Sequence, residues 1–240
     1  MHPDRMDHRM VKIHGFNKLT LLDYPGRLAC TIFLGHCNFR CPFCHNAGLV
    51  LAPEKEPVIP IEEVLGTLKK RKGILDGVCI TGGEPTMSAR LPEFIERIKE
   101  LGYSVKLDTN GSNPEMLKSL VERKMLDYVA MDIKNSPQKY SMTTGMTQLN
   151  LDAIYESVEL LKTGVVDYEF RTTVVKELHK KEDIRIIGKW ISGSRRYFLQ
   201  AYKESEHVIH PGFTCYAKEQ LENFREMLLE EIPQVEIRGI

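Results

Sequence analysis

The sequence has 240 residues, of which 42% are hydrophobic, so the chain is long enough to bury a core without disulfide bonds. Its 33 basic side chains are balanced by 33 acidic ones, which argues against non-specific binding of nucleic acid or of an anionic membrane surface. No apolar run reaches the roughly 18 residues that span a bilayer. Residues 1–12 are charged and contain no apolar core of a secretory signal, so we expect a cytoplasmic protein.

Strand-like and helix-like stretches alternate along the chain. Residues of β-branched and aromatic type predict strands over 27–34, 77–81, 104–108, 128–133, 168–175 and 197–201. Apolar residues at helical spacing predict helices that begin near 61, 91, 113, 150 and 183, one after each of the first five strands. A last helix over about 216–231 precedes a short strand at 235–238.

These six strand–helix repeats predict an α/β fold with a parallel sheet and helices outside it. Six repeats are too few for an eight-stranded barrel, and periodicity alone leaves a doubly wound sheet and an incomplete barrel open. No linker divides the chain, so we assign residues 16–240 to a single domain and residues 1–15 to an N-terminal tail. The long polar connection 135–149 predicts a binding loop, a lid or a disordered segment.

Three of the six cysteines lie within eight residues, directly after the first predicted strand. Cys37, Cys41 and Cys44 form a C-x3-C-x2-C pattern whose thiolates could surround a metal centre. A structural zinc site needs a fourth ligand, for which His45 is the candidate. Cys44 and His45 are adjacent, however, and their side chains point in different directions. An iron–sulfur cluster held by three cysteines keeps one iron free for a ligand. The spacing favours the cluster and leaves zinc open.

The remaining cysteines and histidines are scattered. Cys30 and Cys79 lie inside predicted strands, where we expect them to be small buried hydrophobic side chains. Cys215 has no neighbouring ligand and is expected to be incidental. His179 is expected in a loop or on the surface rather than as a ligand.

Polar residues recur at the carboxyl ends of the predicted strands, which is where parallel strand–helix folds bind ligands. The second strand leads into Gly82-Gly83-Glu84-Pro85, whose two glycines allow close approach to the backbone. This pattern is neither G-x-G-x-x-G nor a Walker loop, so a phosphate cradle is not expected. The later strands contribute Asp108-Thr109-Asn110-Gly111, Asp132-Ile133-Lys134, Arg171 and Gln200. The sequence therefore predicts one ligand site at this edge of the sheet.

Taken together, these motifs resemble the radical S-adenosylmethionine superfamily. The resemblance rests on the three cysteines, with Phe43 before the last of them, and on Gly82-Gly83-Glu84-Pro85 after the second strand. The stretches 21–26, 41–46, 108–111 and 131–134 resemble those of glycyl-radical activases. Among these activases, the similarity is greatest to the longer-chain activating proteins of anaerobic ribonucleoside-triphosphate reductase. It extends from about Phe16 to the C-terminus.

The resemblance implies a partial (β/α)6 TIM-like barrel with a 4Fe-4S cluster on Cys37, Cys41 and Cys44. S-adenosylmethionine would bind the open iron through its amino and carboxylate groups. The residues implied around this cosubstrate are Phe43 at the adenine, Gly82, Gly83 and Glu84 at the methionyl amino group, Asp108, Asn110, Asp132 and Lys134 at the ribose and carboxylate, and Arg171 and Gln200 closing the site. Asp108, Thr109 and Asp132 resemble positions that hold a monovalent cation in some activases.

The function implied is reductive cleavage of S-adenosylmethionine, which produces a 5′-deoxyadenosyl radical that takes a hydrogen from a backbone glycine of a partner enzyme. The expected partner is anaerobic ribonucleoside-triphosphate reductase, with a flavodoxin- or ferredoxin-type reductant. Gln200 stands where pyruvate formate-lyase activases tend to carry histidine, which weakens the assignment to that subfamily without removing it. The residues also leave open a small-molecule enzyme such as a 7-deazaguanine-forming synthase, and a non-catalytic zinc-binding or iron–sulfur electron-carrier protein.

Overall fold

The computed structural model describes residues 11–240. In this part of the chain the strands are β1 (Ile13–Thr20), β2 (Ala29–Leu34), β3 (Gly77–Gly82), β4 (Ser104–Thr109), β5 (Tyr128–Asp132), β6 (Asp167–Val174), β7 (Arg196–Ala201) and β8 (Gln234–Arg238). The helices are α1 (Ala47–Leu51), α2 (Ile61–Lys70), α3 (Leu91–Glu100), α4 (Pro114–Glu122), α5 (Tyr140–Thr144), α6 (Leu151–Lys162), α7 (Lys181–Trp190) and α8 (Lys218–Leu228). Short 3-10 turns lie at Pro53–Lys55, Pro85–Met87 and Pro137–Lys139. None of the helices in residues 11–240 has the length and hydrophobicity needed to cross a membrane.

All eight strands of the described chain form one sheet in which the spatial order follows the chain order. β1 pairs antiparallel with β2, and every later neighbour pair, from β2–β3 to β7–β8, is parallel. The predicted α/β fold with a parallel sheet, arranged as a partial TIM-like barrel, is confirmed. The short C-terminal strand β8 extends the parallel part of the sheet by one strand.

The antiparallel strand β1 is an element that the sequence did not predict. It begins at Ile13, so the last residues of the stretch assigned to the tail belong to the sheet. Residues 1–10 of that tail lie outside the described residues. β1 is only partly buried, with Ile13 and Thr20 buried at its ends and residues 17–19 exposed, and such an edge strand has little apolar alternation to detect.

The central strands are buried on both faces, which explains why their sequences are nearly continuous apolar runs. Ile32 of β2, Ile80 of β3 and Val129 of β5 have no solvent exposure. The helices begin where capping residues allow it. The side chain of Asn113 accepts a hydrogen bond from the amide of Met116 at 3.2 Å, and Pro114 occupies the first helical position of α4. Because β2 to β6 are parallel, their carboxyl ends lie at the same edge of the sheet.

The connection 135–149 is a packed segment that contains α5, so the expectation of a disordered stretch is wrong, while its role as a binding loop or a lid stays a prediction. Asn135 and Tyr140 have no solvent exposure. The Asn135 side-chain amide donates to Thr143 Oγ1 at 2.7 Å and to the Leu178 carbonyl at 3.1 Å. The amide of Arg40, in the cysteine loop, donates to the carbonyl of Thr144 at 2.8 Å. This segment therefore supports the cysteine loop from outside.

Candidate cofactor site

The loops at the carboxyl ends of β2 to β6 surround one cavity, as the sequence predicted. Its lining includes the predicted residues Cys37, Cys41, Phe43, Cys44, Gly82, Gly83, Glu84, Asp108, Asn110, Asp132, Lys134 and Arg171. Gln200 lies one strand further on β7 and reaches the cavity indirectly, because its Oε1 accepts a hydrogen bond at 3.4 Å from Thr173, a lining residue of β6. The structure therefore brings the predicted residues of five strand ends together.

The cysteine loop is held by hydrogen bonds to the sulfur of its first cysteine and along its own backbone. The Phe39 amide donates to Cys37 Sγ at 3.3 Å, and the Asn110 side-chain amide approaches the same sulfur at 3.9 Å. The amide of Cys44 donates to the carbonyl of Cys41 at 3.0 Å. A sulfur that accepts such hydrogen bonds is prepared to carry negative charge.

The two glycines at the end of β3 lie against the backbone that leads from β2 into the cysteine loop. A Cβ added to Gly83 would lie 1.9 Å from the carbonyl oxygen of His36, which directly precedes the first cysteine. Gly82 has a φ of +119°, and a Cβ there would lie 2.2 Å from the carbonyl oxygen of Leu34. The amide of Glu84 donates to the His36 carbonyl at 2.7 Å. The glycine pair thus lets the loops after β2 and β3, two of those that surround the cavity, lie directly against each other.

Glu84 is buried, and its carboxylate connects the end of β3 to the end of β4. Its Oε1 accepts from the amide of Thr86 at 3.1 Å and from Thr109 Oγ1 at 2.7 Å. Its Oε2 accepts from the amide of Asn110 at 2.6 Å. Burial raises the pKa of Glu84 against the lowering effect of these donors. The resemblance assigned Glu84 to the methionyl amino group. In the structure its carboxylate accepts hydrogen bonds from Thr86, Thr109 and Asn110 of this chain.

A layer of paired charges forms the floor of the cavity. Arg171 Nε donates to Asp132 Oδ1 at 2.9 Å, and its Nη1 donates to Asp108 Oδ2 at 3.2 Å. Lys134 Nζ donates to Asp132 Oδ2 at 3.0 Å. Burial alone would raise the pKa of Asp132, but Arg171 and Lys134 outweigh it and lower the pKa to about 2. Burial likewise tends to raise the pKa of Asp108, but neighbouring cations, Arg171 most strongly, hold it below its usual value.

His179 lies in the loop between β6 and α7, which was one of the two expected places, but it is buried there and not on the surface. It has no solvent exposure. The Val175 amide lies 3.0 Å from Nδ1, and Nε2 lies 2.7 Å from the Lys134 carbonyl. A neutral ring that accepts at Nδ1 and donates from Nε2 satisfies both contacts, and burial lowers the pKa of His179 accordingly. The ring also contacts the buried Phe43 edge to face, with centroids 6.4 Å apart.

The three thiols fit a thiolate-ligated group, and the neighbouring histidine does not complete a zinc site. Cys37, Cys41 and Cys44 are free and line the same cavity. The Nε2 atom of His45 contacts the carbonyl of Lys203, and its ring lies on Tyr202, with centroids 5.5 Å apart. Within residues 11–240 no three His, Cys, Asp or Glu side chains converge on a single metal ion. The sulfurs of a polynuclear cluster need no such point, because they bind different irons.

The burial of the thiols explains why they need a cationic partner. Burial raises the pKa of Cys37 to about 12 and that of Cys41 to about 11. Both thiols are therefore protonated at neutral pH unless a bound positive centre favours the thiolate. Cys30 and Cys79 are fully buried in β2 and β3, as predicted from their place in strands.

The fold and this cavity define the radical S-adenosylmethionine class of enzymes, and the comparison with family profiles agrees. The profile described as Radical SAM superfamily matches residues 31–187. The chain belongs to this superfamily. The matched region includes the three cysteines, the Gly82-Gly83 turn and the charged floor of the cavity. S-adenosylmethionine and a 4Fe-4S cluster are the cofactors of this family.

Several proteins with named activities are similar to this chain in sequence. A protein of Methanocaldococcus jannaschii that is provisionally named a glycyl-radical enzyme activating enzyme is 32% identical over 198 residues, which cover 81% of each chain. The pyruvate formate-lyase-activating enzyme of Clostridium pasteurianum is 30% identical and covers 78% of each chain. A 7-carboxy-7-deazaguanine synthase of Thermococcus kodakarensis is 30% identical over 73% of this chain and 74% of its own.

Among solved structures, Streptococcus suis SuiB superposes with a TM-score of 0.67 at 16% identity. The match covers 85% of this chain and 47% of SuiB, so this chain spans about half of that protein. A SuiB structure bound to S-adenosylmethionine matches with the same TM-score of 0.67. At this identity the likeness shows a shared fold.

Proposed function

We propose that this chain is an activating enzyme that generates a glycyl radical on a partner enzyme, and that the partner is anaerobic ribonucleoside-triphosphate reductase. The observation that carries the proposal is the similarity to a glycyl-radical activating enzyme over 81% of both chains. The cysteine loop, the Gly82-Gly83 turn and the charged floor all lie within residues 31–187, which the superfamily profile matches. A flavodoxin- or ferredoxin-type protein would supply the electron.

The cysteine loop supplies the ligands for the cluster. Cys37, Cys41 and Cys44 would hold it, and the hydrogen bonds to Cys37 Sγ would stabilise its thiolate. When bound, the cluster and S-adenosylmethionine together supply the 5′-deoxyadenosyl radical that abstracts the hydrogen. The buried positions of Cys41 and Phe43 keep water away from this side of the cavity.

Lys134 is the side chain best placed to bind the carboxylate of the cosubstrate. An ammonium group has three N–H donors, and in this structure Lys134 Nζ donates one of them to Asp132. Its side chain is 18% exposed, toward the cavity. Arg171 has already committed donors to both aspartates and is only 12% exposed. Lys134 can therefore contact a ligand carboxylate without giving up Asp132.

Gln200 supports the choice of partner. The resemblance places it where pyruvate formate-lyase activases tend to carry histidine, and here its side chain hydrogen-bonds to Thr173 on the rim of the cavity. We therefore rank the reductase above pyruvate formate-lyase as the partner.

The test is to mix the anaerobically reconstituted protein with the reductase, S-adenosylmethionine and a reductant, and to record electron paramagnetic resonance spectra. We expect the doublet of a glycyl radical on the reductase and none with Cys41→Ala as the activating protein. A parallel mixture with pyruvate formate-lyase should give no radical. A radical only on pyruvate formate-lyase, or only consumption of a small molecule such as the precursor of a 7-deazaguanine, would contradict the proposal.

A further inference from the structure

Each side chain that the resemblance assigns to a monovalent cation already has partners from this chain. Thr109 is 3% exposed, and its hydroxyl donates to Glu84 Oε1 at 2.7 Å. That leaves the four carboxylate oxygens of Asp108 and Asp132. Arg171 donates to one oxygen of each aspartate, at 3.2 Å and 2.9 Å respectively. The other oxygen of Asp132 accepts from Lys134.

The remaining carboxylate oxygen, Oδ1 of Asp108, also has a cationic partner. Asp108 Oδ1 accepts from Lys106 Nζ. Lys106 lies two residues before Asp108 on β4, so period-two alternation places both side chains on the same face of the strand. All four carboxylate oxygens are therefore bonded to nitrogen atoms of cationic side chains.

Lys106 is buried more deeply than Lys134, the other lysine of this layer. The residue is 1% exposed, and besides Asp108 its side chain hydrogen-bonds in the described structure to Cys79 Sγ, at 3.7 Å. Burial raises the pKa of Cys79, so that neighbour is a neutral thiol. A buried ammonium group is tolerated only beside a compensating charge, which Asp108 supplies.

The cationic side chains in direct contact already compensate the charges of both aspartates. Lys106, Lys134 and Arg171 supply three positive charges against the two negative charges of Asp108 and Asp132. Glu169, two residues before Arg171 on β6, is itself paired with Arg238 at 2.7 Å and 2.9 Å. An added metal ion would meet these three cationic side chains in a poorly hydrated place, where each carboxylate oxygen of the two aspartates already accepts from one of them.

We propose that Lys106 and Arg171 take the place of the monovalent cation in this chain, so that S-adenosylmethionine binding requires neither potassium nor sodium. Lys106 is a positioning residue in this account. It holds Asp108, Asp108 holds Arg171, and Arg171 holds Asp132 beside Lys134 at the floor of the cavity. The proposal depends on membership of the superfamily and is independent of which partner receives the radical.

The first test uses the unaltered protein. The thermal unfolding midpoint and the affinity of the reconstituted protein for S-adenosylmethionine are measured in potassium, sodium and choline chloride at equal ionic strength. Choline is too large to replace a bound metal ion. We expect affinities that agree within about twofold and midpoints that agree within about 2 °C. A saturable gain in either quantity with potassium or sodium would overturn the proposal.

The second test converts the site. Lys106→Met keeps much of the apolar stem and removes the charge, which leaves Asp108 Oδ1 without a cationic donor. We expect the unfolding midpoint to fall by roughly 6–20 °C in choline, because a buried ion pair has lost one partner. Potassium or sodium at about ten times its dissociation constant should then restore about 3–6 °C. The affinity for S-adenosylmethionine should become at least about threefold higher in potassium or sodium than in choline.

The matched control combines Lys106→Met with Asp108→Asn, which removes the carboxylate that would bind the added ion. This double variant should show no response to potassium or sodium. A response that persists in the double variant, or a folded Lys106→Met protein that shows no response, would refute the assignment. If Lys106→Met does not fold in any of the salts, the comparison of salts on the unaltered protein decides alone.

Discussion

Removal of the buried Glu84 carboxylate should destabilise the protein, because this group accepts hydrogen bonds from two strand ends. Glu84→Ala leaves the amides of Thr86 and Asn110 without their acceptor. It also frees the hydroxyls of Thr86 and Thr109, which can rotate toward other acceptors. A buried donor without a partner costs about 1–3 kcal/mol, so the two amides together predict a loss of roughly 2–6 kcal/mol.

Glu84→Gln separates the loss of charge from the loss of the acceptors. The amide keeps one oxygen, which can serve the donors that now reach Oε1, while its NH2 group faces the Asn110 amide. One lost hydrogen bond predicts a cost of about 1–3 kcal/mol, between the unaltered protein and Glu84→Ala. An exposed carboxylate is the matched control. Glu93 pairs with Arg90 on the surface of α3, where its side chain is 47% exposed, so Glu93→Ala should change stability by less than about 1 kcal/mol.

The assay is equilibrium unfolding in urea of the cluster-free protein under anaerobic conditions, monitored by circular dichroism and by fluorescence. The slope m should be unchanged, since the variants do not alter the surface exposed on unfolding. Unfolding free energies that decrease from the unaltered protein to Glu84→Gln to Glu84→Ala support the account. A Glu84→Ala protein as stable as the Glu93→Ala control would show that the carboxylate does not hold the two strand ends together.

Three further predictions concern the cavity. Cys41→Ala should remove the iron of the reconstituted protein, expected at about four atoms per chain, whereas Cys30→Ala should retain it; equal iron in both variants by metal analysis would contradict the ligand assignment. Lys134→Ala should weaken S-adenosylmethionine binding about 10- to 100-fold by calorimetry while the cluster spectrum is unchanged, because a charge-assisted hydrogen bond is lost; an unchanged affinity would exclude this contact. The pKa of Asp132 is lowered to about 2, so its stabilising contribution is fully present above its ordinary value near 3.8 and is lost as the pH falls through about 2. The stability difference between the unaltered protein and Asp132→Asn in urea should therefore shrink by about 2 kcal/mol between pH 6 and pH 2; a difference that does not vary with pH would contradict the ion-pair layer.

The sequence predicted those parts of the structure that depend on local periodicity. The buried strands β2 to β7 have long apolar runs, and the helices between them have apolar stripes, so their order and the parallel sheet followed. The site residues were predictable because each of them stands directly after a strand or within its last residues. A parallel sheet gathers such positions at one edge, and Asp108 and Asp132 are now found joined by Arg171.

The parts that were missed depend on contacts between distant segments. The burial of His179 depends on the Lys134 carbonyl, 45 residues away in the chain. The packing of segment 135–149 depends on Arg40 of the cysteine loop and on the Leu178 carbonyl. The glycine pair lines the cavity as expected, but its close contacts with the backbone oxygens of Leu34 and His36 were not predicted. No local sequence pattern indicates which distant backbone segment will lie against a given residue.

Lys106 illustrates the same limit within one strand. Its alternation with Asp108 was visible in the sequence, but a lysine inside a strand is more often an exposed edge residue than a buried partner. Only the packing of Cys79 from β3 and of Arg171 from β6 around Asp108 shows that its ammonium group is enclosed.

The most direct measurement of the central claim follows the hydrogen atom itself. The anaerobic ribonucleoside-triphosphate reductase is produced with glycine that carries two deuterium atoms at Cα, and is mixed with this protein, S-adenosylmethionine and a reductant. The 5′-deoxyadenosine that forms is then analysed by mass spectrometry. We predict one deuterium atom in the 5′-deoxyadenosine, accompanied by the glycyl-radical signal on the reductase. Unlabelled 5′-deoxyadenosine together with an undiminished deuterium content in the reductase would contradict the proposed activity.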